Sequence, residues 1–331
     1  MERIATTPGL YPLPDDAKET LSDLKGHQRD DLISGDEGED IVAAYDDARR
    51  RVIDDQQEAG LDLITEGQLR WDDMLAHPLT VHDNVSAEGI VRYYDNNNFY
   101  REPVVEGELA FSGDVAGELE KAATQTDSLQ AVLPGPYTLA ELATDEFYGD
   151  EANFLGAVAE FLEGETEAFP EHETLFLLEP SLVTDAPGDG MDERASEAID
   201  RVASATNADV VVQTYWGSLT EKVHAHLLDA DIDAVGYDLV TDHEQNLENI
   251  AEYGTKDDVS LGIVDGQTTL VESAETVAER VEWFCAETPD PITFDNVYMT
   301  TNTELFYLPV SKYREKLGVL GEVAELVEVA Q

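Results

Sequence analysis

The feature that most constrains the fold is a regular alternation of short apolar runs with longer amphipathic segments. The apolar runs predict strands at residues 3–7, 61–65, 129–133, 174–178, 209–213, 233–238, 259–264 and 291–294. Helical periodicity is clearest at residues 41–59, 154–169, 191–205, 219–228, 244–253, 272–286 and 310–329. Strands that alternate with helices pair in parallel, because each helix carries the chain back across the sheet. Eight such strands predict an α/β fold, a single (β/α)8 TIM barrel.

The length of the chain fits one barrel, and we expect residues 1–331 to form a single domain. One long connection departs from the alternation. Residues 75–126, between the second and third predicted strands, carry strand signals of their own at 89–94 and 107–111. We interpret this segment as an insertion that covers the mouth of the barrel.

The charge of the chain is strongly unbalanced. It contains 73 Asp and Glu residues against 19 Lys and Arg, which gives a formal net charge of -54. Nucleic acids and anionic membranes are poor partners for such a field. The acidic residues are spread along the whole chain, while apolar periodicity continues from end to end. We therefore expect a folded, halophilic protein with a solvated acidic surface, from a salt-accumulating, haloarchaeal source.

The cysteine content and the hydropathy exclude further classes of protein. The single cysteine, Cys285, rules out an internal disulfide framework and a Cys-rich metal site, and its apolar context predicts a buried core position. No apolar run reaches 18 residues, and the N-terminus lacks the apolar region of a signal peptide. These features predict a cytoplasmic protein. His27 and His77 are expected in solvated loops.

Polar and aromatic residues follow most of the predicted strands. They are Glu66, Pro134 to Pro136, Glu179, Tyr215 to Gly217, Asp238, Asp265 and Gly266, and Asp295 and Asn296. The carboxyl ends of barrel strands meet at one face, so these residues together predict a polar ligand site. Each carboxylate taken alone has the alternative role of capping the next helix. The polar run from Asp95 to Tyr100 is either an ordinary turn or a loop facing a ligand.

Eight segments, in order along the chain, resemble motifs of the cobalamin-independent methionine synthase family. They are QEAGLDLITEG at 57–67 with RWDDM at 70–74, DNNNFYREP at 95–103, LPGPYTL at 133–139, LEPSL at 178–182, VVVQTYWG at 210–217, DAVGYDLV at 233–240, SLGIVDG at 260–266 and NTELFYLPV at 302–310. The resemblance is to the amino-terminal, zinc-free barrel of that family. From the strand ends and these segments, the candidate substrate-binding residues are Glu66, Arg70, Asp95, Glu179, Tyr215, Trp216, Asp238 and Asp265. The catalytic residues stay unassigned.

The resemblance also shows where this chain departs from the family. The carboxyl-terminal barrel of the classical enzyme binds zinc through a histidine, two cysteines and a glutamate, and the metal converts the homocysteine thiol to a thiolate. Tyr215, Gly217, Asp238 and Thr303 stand at the corresponding positions. These side chains cannot reproduce a set of two thiolates and an imidazole. In addition, Leu10 stands in place of a serine in the segment that resembles the homocysteine-binding motif.

The resemblance implies methyl transfer from a methylfolate or methylcobalamin donor to homocysteine, in methionine biosynthesis. We expect this chain to bind no cofactor itself and to act with a paralogous, zinc-bearing methionine synthase barrel as its partner. Two alternatives are a non-catalytic scaffold barrel that binds a ligand, and another methyltransferase or decarboxylase of the uroporphyrinogen decarboxylase-like superfamily. A small-molecule substrate is expected in each catalytic case.

Overall fold

The computed structural model describes residues 2–22, 38–94 and 96–329. Its strands are β1 (Glu2–Ala5), β2 (Val85–Arg92), β3 (Phe99–Val105), β4 (Gln130–Pro134), β5 (Thr144–Asp145), β6 (Thr174–Leu178), β7 (Asp209–Gln213), β8 (Ala234–Asp238), β9 (Asp258–Val264) and β10 (Asn296–Thr301). Its helices are α1 (Asp15–Ser22), α2 (Glu39–Glu58), α3 (His77–Thr80), α4 (Asp114–Ala123), α5 (Pro136–Glu141), α6 (Glu151–Glu167), α7 (Ser181–Thr184), α8 (Met191–Ala203), α9 (Glu221–Leu227), α10 (His243–Tyr253), α11 (Ala274–Glu287) and α12 (Val310–Val329).

Seven strands form one parallel sheet in the order β1-β10-β9-β8-β7-β6-β4. Strands β4, β6 and β9 are buried along their whole length, as expected when helices cover one face of a parallel sheet and side chains pack on the other. The strands are rich in Val, Leu and Ile, which fit this two-sided burial. The result is an α/β fold in which a curled parallel sheet carries the core.

The second predicted strand, at residues 61–65, is not a regular strand. It forms one isolated bridge, between Ile64 and Leu129. Two side chains replace a continuous strand ladder here, since Gln56 hydrogen-bonds both the N–H and the C=O of Thr65, and the Asp62 carboxylate accepts the N–H of Ala5 at 2.8 Å. The segment nevertheless bonds to both edges of the sheet. The N–H of Asp62 donates to Ala5 of β1, and that of Ile64 donates to Ser128 at the start of β4.

The connection at residues 75–126 contains most of a second, smaller sheet. Strands β2 and β3 form an antiparallel hairpin, and β5 pairs in parallel with β3. The strand signal at 89–94 falls largely within β2, whereas the one at 107–111 is wrong. There the N–H groups of Leu109 and Ala110 bond to the side chains of Tyr148 and His82 instead of to a neighbouring strand.

The eighth predicted strand was placed too early. Residues 291–294 lie in a turn, where the N–H of Ile292 donates to Pro289 at 3.0 Å, and the strand itself is β10. Val297, Thr300 and Thr301 supply the β-branched residues that suit a strand. The first strand, predicted at 3–7, ends at Ala5.

The long helices agree with the periodicity, from α2 to α12. Two other local predictions were wrong. Cys285 is exposed in the last turn of α11, although Val281 and Phe284 near it are buried. His77 is buried and lies 3.0 Å from Asp114, while His27 falls outside the described residues. Within the described ranges, no helix has the length and apolarity needed to cross a membrane.

Candidate functional site

The carboxyl ends of the parallel strands bring several acidic side chains into the interior of the protein. Glu66, Glu179, Asp238 and Glu304 are each at most 4% exposed. A buried carboxylate is unfavourable unless hydrogen bonds or a positive charge compensate it. The partners of each carboxylate therefore indicate what it does, and they differ sharply across the site.

Glu179 follows β6, and its carboxylate accepts hydrogen bonds from backbone N–H groups of the protein itself. Its two oxygens accept the N–H groups of Tyr137 and Thr138 at 3.0 and 2.7 Å, in the first turn of α5. The close fit requires glycine at position 135, because a Cβ there would lie 2.1 Å from the Glu179 carboxyl carbon. Burial raises the pKa of Glu179 to about 7, against the lowering effect of these hydrogen bonds. Glu179 thus joins β6 to the loop that follows β4.

Asp238, at the end of β8, connects the carboxyl ends of β7, β8 and β10. It accepts hydrogen bonds from the N–H groups of Trp216, Val240 and Thr241 at 2.8 to 2.9 Å, and from the amide of Asn302 at 3.1 and 3.2 Å. Burial raises its pKa, while these donors act in the opposite direction. The bond to Trp216 also holds that residue in the left-handed region, at φ 70°. Asp238 therefore fixes where the Trp216 ring points.

Glu304 follows β10 and has an unusual environment. One carboxylate oxygen, Oε1, accepts the hydroxyl of Tyr93 at 2.7 Å. The other oxygen, Oε2, and the hydroxyl of Tyr215 are both buried and have no further partner among the described residues. The two side chains interact with each other, since a hydrogen bond from Tyr215 lowers the pKa of Glu304 and the same contact raises the pKa of Tyr215. Burial raises the pKa of Glu304 to about 7 and that of Tyr215 well above its usual value.

The tip of the β2–β3 hairpin reaches into the same region. The Tyr94 hydroxyl lies 2.8 Å from that of Ser181, which begins α7. The Tyr94 ring is centred 4.5 Å from the Trp216 ring, and the Tyr93 ring is centred 6.2 Å from it. The hairpin thus brings Tyr93 and Tyr94 together with Glu304, Tyr215 and Trp216, which were distant in sequence.

Glu66 and Arg70 belong to a separate group. Glu66 accepts the N–H of Gln68 at 2.9 Å and lies 3.9 Å from the buried guanidinium of Arg49. Burial raises the pKa of Glu66 to about 7, the nearby charge of Glu118 adds to this, and Arg49 opposes it. Arg70 lies 3.8 Å from Glu118, with its guanidinium over the ring of Tyr45. Arg70 therefore contacts helices α2 and α4.

Three more predicted residues, Asp265, Asp295 and Asn296, do not bring their side chains into this centre. Asp265 caps its own turn, since its carboxylate accepts the N–H groups of Gln267 and Thr268 at 2.8 and 3.3 Å. Asp295 and Asn296 were predicted to end a strand, but Asn296 begins β10, which places them at the opposite end of the sheet. Asp95 lies outside the described residues.

The positions that correspond to the family's zinc ligands do not fit a zinc ion. Asp238 already accepts from four donor groups, Gly217 has no side chain, and the hydroxyl of Thr303 donates to the backbone of Glu304 at 3.1 Å. Burial opposes ionisation of Tyr215, whose neutral phenol is a poor zinc ligand. Over the described ranges, no group of three or more His, Cys, Asp or Glu side chains is arranged to hold a metal.

A cleft of about 240 Å³ opens at the same end of the sheet. Its walls come from the loop after β1, from residues 68–74, from the hairpin and from the segment after β10. The lining includes Leu10, Gln68, Trp71, Asn98 and Phe306. Leu10 is held in the left-handed region, at φ 52°, while its N–H donates to the Gln68 side chain at 2.8 Å. The cleft is small, and polar and apolar groups contribute about equally to its lining.

The strand-end prediction found Glu179, Tyr215, Trp216 and Asp238, but it missed Tyr93, Asn302 and Glu304. The two residues after β10 were missed because the strand was predicted five residues too early. The run from Val297 to Thr301 was the available signal. Tyr93 had no comparable signal, since only the folding of the hairpin over the strand ends brings it to Glu304.

Comparison with known protein families gives a match over more than half of the chain. Residues 80–287 match the family described as the cobalamin-independent synthase, N-terminal domain. A methionine synthase of Saccharolobus solfataricus is 25% identical over 284 residues, which cover 83% of this chain and 81% of that protein. The methionine synthase of Sulfolobus acidocaldarius is 24% identical and covers 83% and 78%, respectively. These relatives give no support to the haloarchaeal origin expected from the composition.

Two solved structures share the fold. A B12-independent methionine synthase from Shewanella sp. W3-18-1, in complex with selenomethionine, superposes with a TM-score of 0.79 at 21% identity and covers 99% of this chain and 98% of its own. A putative vitamin-B12-independent methionine synthase from Listeria monocytogenes superposes with a TM-score of 0.69 at 16% identity, with the same coverage. The similarity of fold therefore extends over nearly the whole length of this chain and of each of the two related structures.

Proposed function

The chain belongs to the cobalamin-independent methionine synthase family, and on this basis we propose that it acts in methionine biosynthesis as a subunit for methyl transfer to homocysteine. The family match supports the pathway, and the relatives of similar length are themselves methionine synthases. The observation that carries the proposed division of labour is the environment of Asp238, Tyr215, Gly217 and Thr303. The side chains of Asp238, Tyr215 and Thr303 make internal contacts, and Gly217 has no side chain, so these four positions do not form a zinc site.

We further propose that the sheet is a complete (β/α)8 barrel and that residues 1–331 form one domain. Residues 61–65 occupy the position between β1 and β4, with hydrogen bonds to both edge strands. In this interpretation the segment is the eighth, irregular stave of the barrel. Residues 75–126 are then the insertion over the mouth, and the contacts of Tyr93 and Tyr94 with residues after β6, β7 and β10 support this role.

In the proposed reaction, a separate zinc-bearing barrel activates the homocysteine thiol. The residues of this chain bind and position the reactants, and the cleft beside Phe306 is one surface that a small part of a ligand could occupy. The donor is a methylfolate or methylcobalamin. Its binding by so acidic a chain requires either screening by salt or a donor that carries little negative charge.

The proposal is tested by measuring methionine formation from homocysteine at constant KCl, with methylfolate and methylcobalamin in separate reactions. The arms contain this chain alone, a zinc-bearing paralogous barrel alone, and both together. An unrelated protein of similar acidity replaces this chain as the control for ionic effects. We expect little turnover from this chain alone and the highest rate from the mixture.

Two results would contradict parts of the proposal. Robust turnover by this chain alone, with stoichiometric zinc by elemental analysis, would refute the need for a partner. A partner rate that is unchanged by addition of this chain would refute the role in methyl transfer, and it would favour the alternative of a non-catalytic scaffold barrel.

A further inference from the structure

Gln68 lies in the wall of the cleft of about 240 Å³, and only one end of its side-chain amide is hydrogen-bonded within the described part of the chain. The oxygen, Oε1, accepts the N–H of Leu10 at 2.8 Å. The nitrogen, Nε2, has no hydrogen-bond partner among the described residues, although Gln68 is only 4% exposed. Buried polar groups in proteins are almost always hydrogen-bonded, so this N–H2 group is a donor available to a ligand in the cleft.

The orientation of the Gln68 amide is fixed by the backbone around it. The reverse orientation would place the N–H2 group against the N–H of Leu10, so the observed hydrogen bond assigns the oxygen to that side. Gly9 permits the close approach, because a Cβ at that position would lie 2.2 Å from Gln68 Oε1. The N–H of Gln68 itself donates to Oε1 of Glu66 at 2.9 Å. Leu10 and Glu66 therefore hold Gln68 from two sides, and its N–H2 group is a donor in a defined position.

The backbone around the cleft has an uncommon conformation. Among the described residues, five non-glycine residues have a positive φ, and three of them line this cleft. They are Leu10, Gln68 and Met74, at φ 52°, 49° and 52°. The left-handed region is unfavourable for such side chains, and residues held there tend to cluster at binding sites. The strained backbone supports a binding role for the cleft independently of the Gln68 amide.

The remaining wall of the cleft suits a ring. Tyr11, Trp71, Phe99 and Phe306 contribute aromatic side chains to the lining. An apolar cavity of about 150 Å³ is large enough to hold benzene. A cleft of about 240 Å³ therefore has room for one ring with a short substituent, and not for a much larger group.

From the fixed N–H2 donor, the cleft volume and the aromatic lining, we propose that this cleft binds a neutral single ring that carries a carbonyl oxygen. The carbonyl accepts a hydrogen bond from Gln68 Nε2, and the ring packs against the aromatic wall. A primary ammonium is disfavoured, because its N–H groups can only donate and would face the N–H2 group of Gln68. A carboxylate is repelled by the net charge of -54. This inference names a ligand class for a cleft that the proposed function uses, and its test measures binding alone, so it can fail or succeed independently of methyl transfer.

Ligand-observed NMR titration of the full chain, at constant KCl and pH 8, tests the site. The probes are acetophenone, whose oxygen only accepts, and 1-phenylethylammonium, which has the same carbon skeleton and only donates. We expect saturable binding of acetophenone with a Kd on the order of 1 mM, as befits so small a ligand, and binding of the ammonium at least tenfold weaker. No saturable binding of acetophenone, or equally tight binding of the ammonium, would overturn the proposal.

The variants separate the role of Gln68 from the general acidity of the protein. Gln68→Glu keeps an oxygen for the N–H of Leu10 and replaces the N–H2 group by a second oxygen. The preference for acetophenone over the ammonium should therefore fall at least tenfold. Gln57→Glu makes the same change of charge at an exposed position of α2, and its preference should match that of the wild type. An unchanged preference in Gln68→Glu would contradict the proposed donor.

A folding defect in Gln68→Glu would not leave the question open. Leu13→Trp enlarges a partly buried side chain of the cleft wall, so circular dichroism should show a folded protein. Acetophenone binding should weaken at least tenfold, since the larger side chain fills the cleft. Unchanged affinity in folded Leu13→Trp would place acetophenone elsewhere on the protein and would refute the proposed site.

Discussion

Replacement of Asp238 by asparagine measures how much stability the junction of three strand ends provides. The substitution preserves the shape of the side chain but turns one acceptor oxygen into an N–H2 group. In the wild type, the N–H of Trp216 donates to Oδ2 at 2.9 Å, and the N–H groups of Val240 and Thr241 donate to Oδ1 at 2.9 and 2.8 Å. In one orientation of the asparagine amide, its N–H2 group faces the N–H of Trp216. In the other orientation, it faces the N–H groups of Val240 and Thr241. The Asn302 amide, within 3.2 Å of both oxygens, meets a donor in either case.

The magnitude follows from these contacts. Either orientation leaves at least two buried donors without an acceptor, at a cost of about 1–3 kcal/mol each. Removing the buried charge returns part of this, because burial already raises the pKa of Asp238. We therefore expect the free energy of unfolding to fall by about 2–4 kcal/mol.

The assay is urea denaturation at fixed KCl, followed by circular dichroism, with Trp fluorescence as a second probe of the region around Trp216. Asp265→Asn is the matched control, since Asp265 caps an exposed turn that asparagine also suits, and its loss should stay within about 0.5 kcal/mol. A folded Asp238→Asn variant that unfolds within about 0.5 kcal/mol of the wild type, with unchanged fluorescence, would refute the view that Asp238 is a structural junction.

Three further outcomes can be measured. Burial raises the pKa values of Glu66, Glu179 and Glu304 to about 7, so the folded state holds protons that the unfolded state releases. Their contribution to stability is complete below the unfolded pKa and is lost as the pH rises through about 7. Glu304→Gln should therefore flatten the pH profile of the urea midpoint between those limits, and an unchanged slope would contradict this. Gly135→Ala should cost about 2 kcal/mol or more, since the new Cβ lies 2.1 Å from the Glu179 carboxyl carbon, and thermal unfolding will show no loss if that contact is wrong. Dilution from multimolar KCl should unfold the chain through repulsion among its -54 formal charges, and a circular dichroism spectrum that is unchanged at low salt would argue against a halophilic protein.

The parts of the fold that sequence predicts well are those with a strong local period. The helix at 310–329 and the strands at 174–178 and 209–213 were predicted with their observed bounds, because buried helices and buried parallel strands leave regular apolar patterns. The segment at 61–65 shows where a pattern is insufficient. Its residues suit a strand, yet the side chains of Gln56 and Asp62 take up backbone groups of the segment and of β1, which no periodicity can indicate.

The candidate site was predictable to the extent that it follows the order of the strands. A carboxylate after β6 or β8 is visible in the sequence, and parallel pairing brings Glu179 and Asp238 to the same end of the sheet. The sequence does not reveal which donors will reach each carboxylate. That information lies in long-range contacts, such as the one between Tyr93 and Glu304, which are 211 residues apart.

This difference decides how the acidic residues should be interpreted. Asp238 and Glu179 were two of the candidates for ligand binding from their positions, but their oxygens accept backbone N–H groups, so a ligand could bind them only by displacing those groups. Glu304 was not among the strand-end candidates, yet it is fully buried, accepts the Tyr93 hydroxyl and interacts with the Tyr215 hydroxyl. The contacts of a buried carboxylate, more than its place after a strand, therefore decide whether a ligand can bind it without displacing another group.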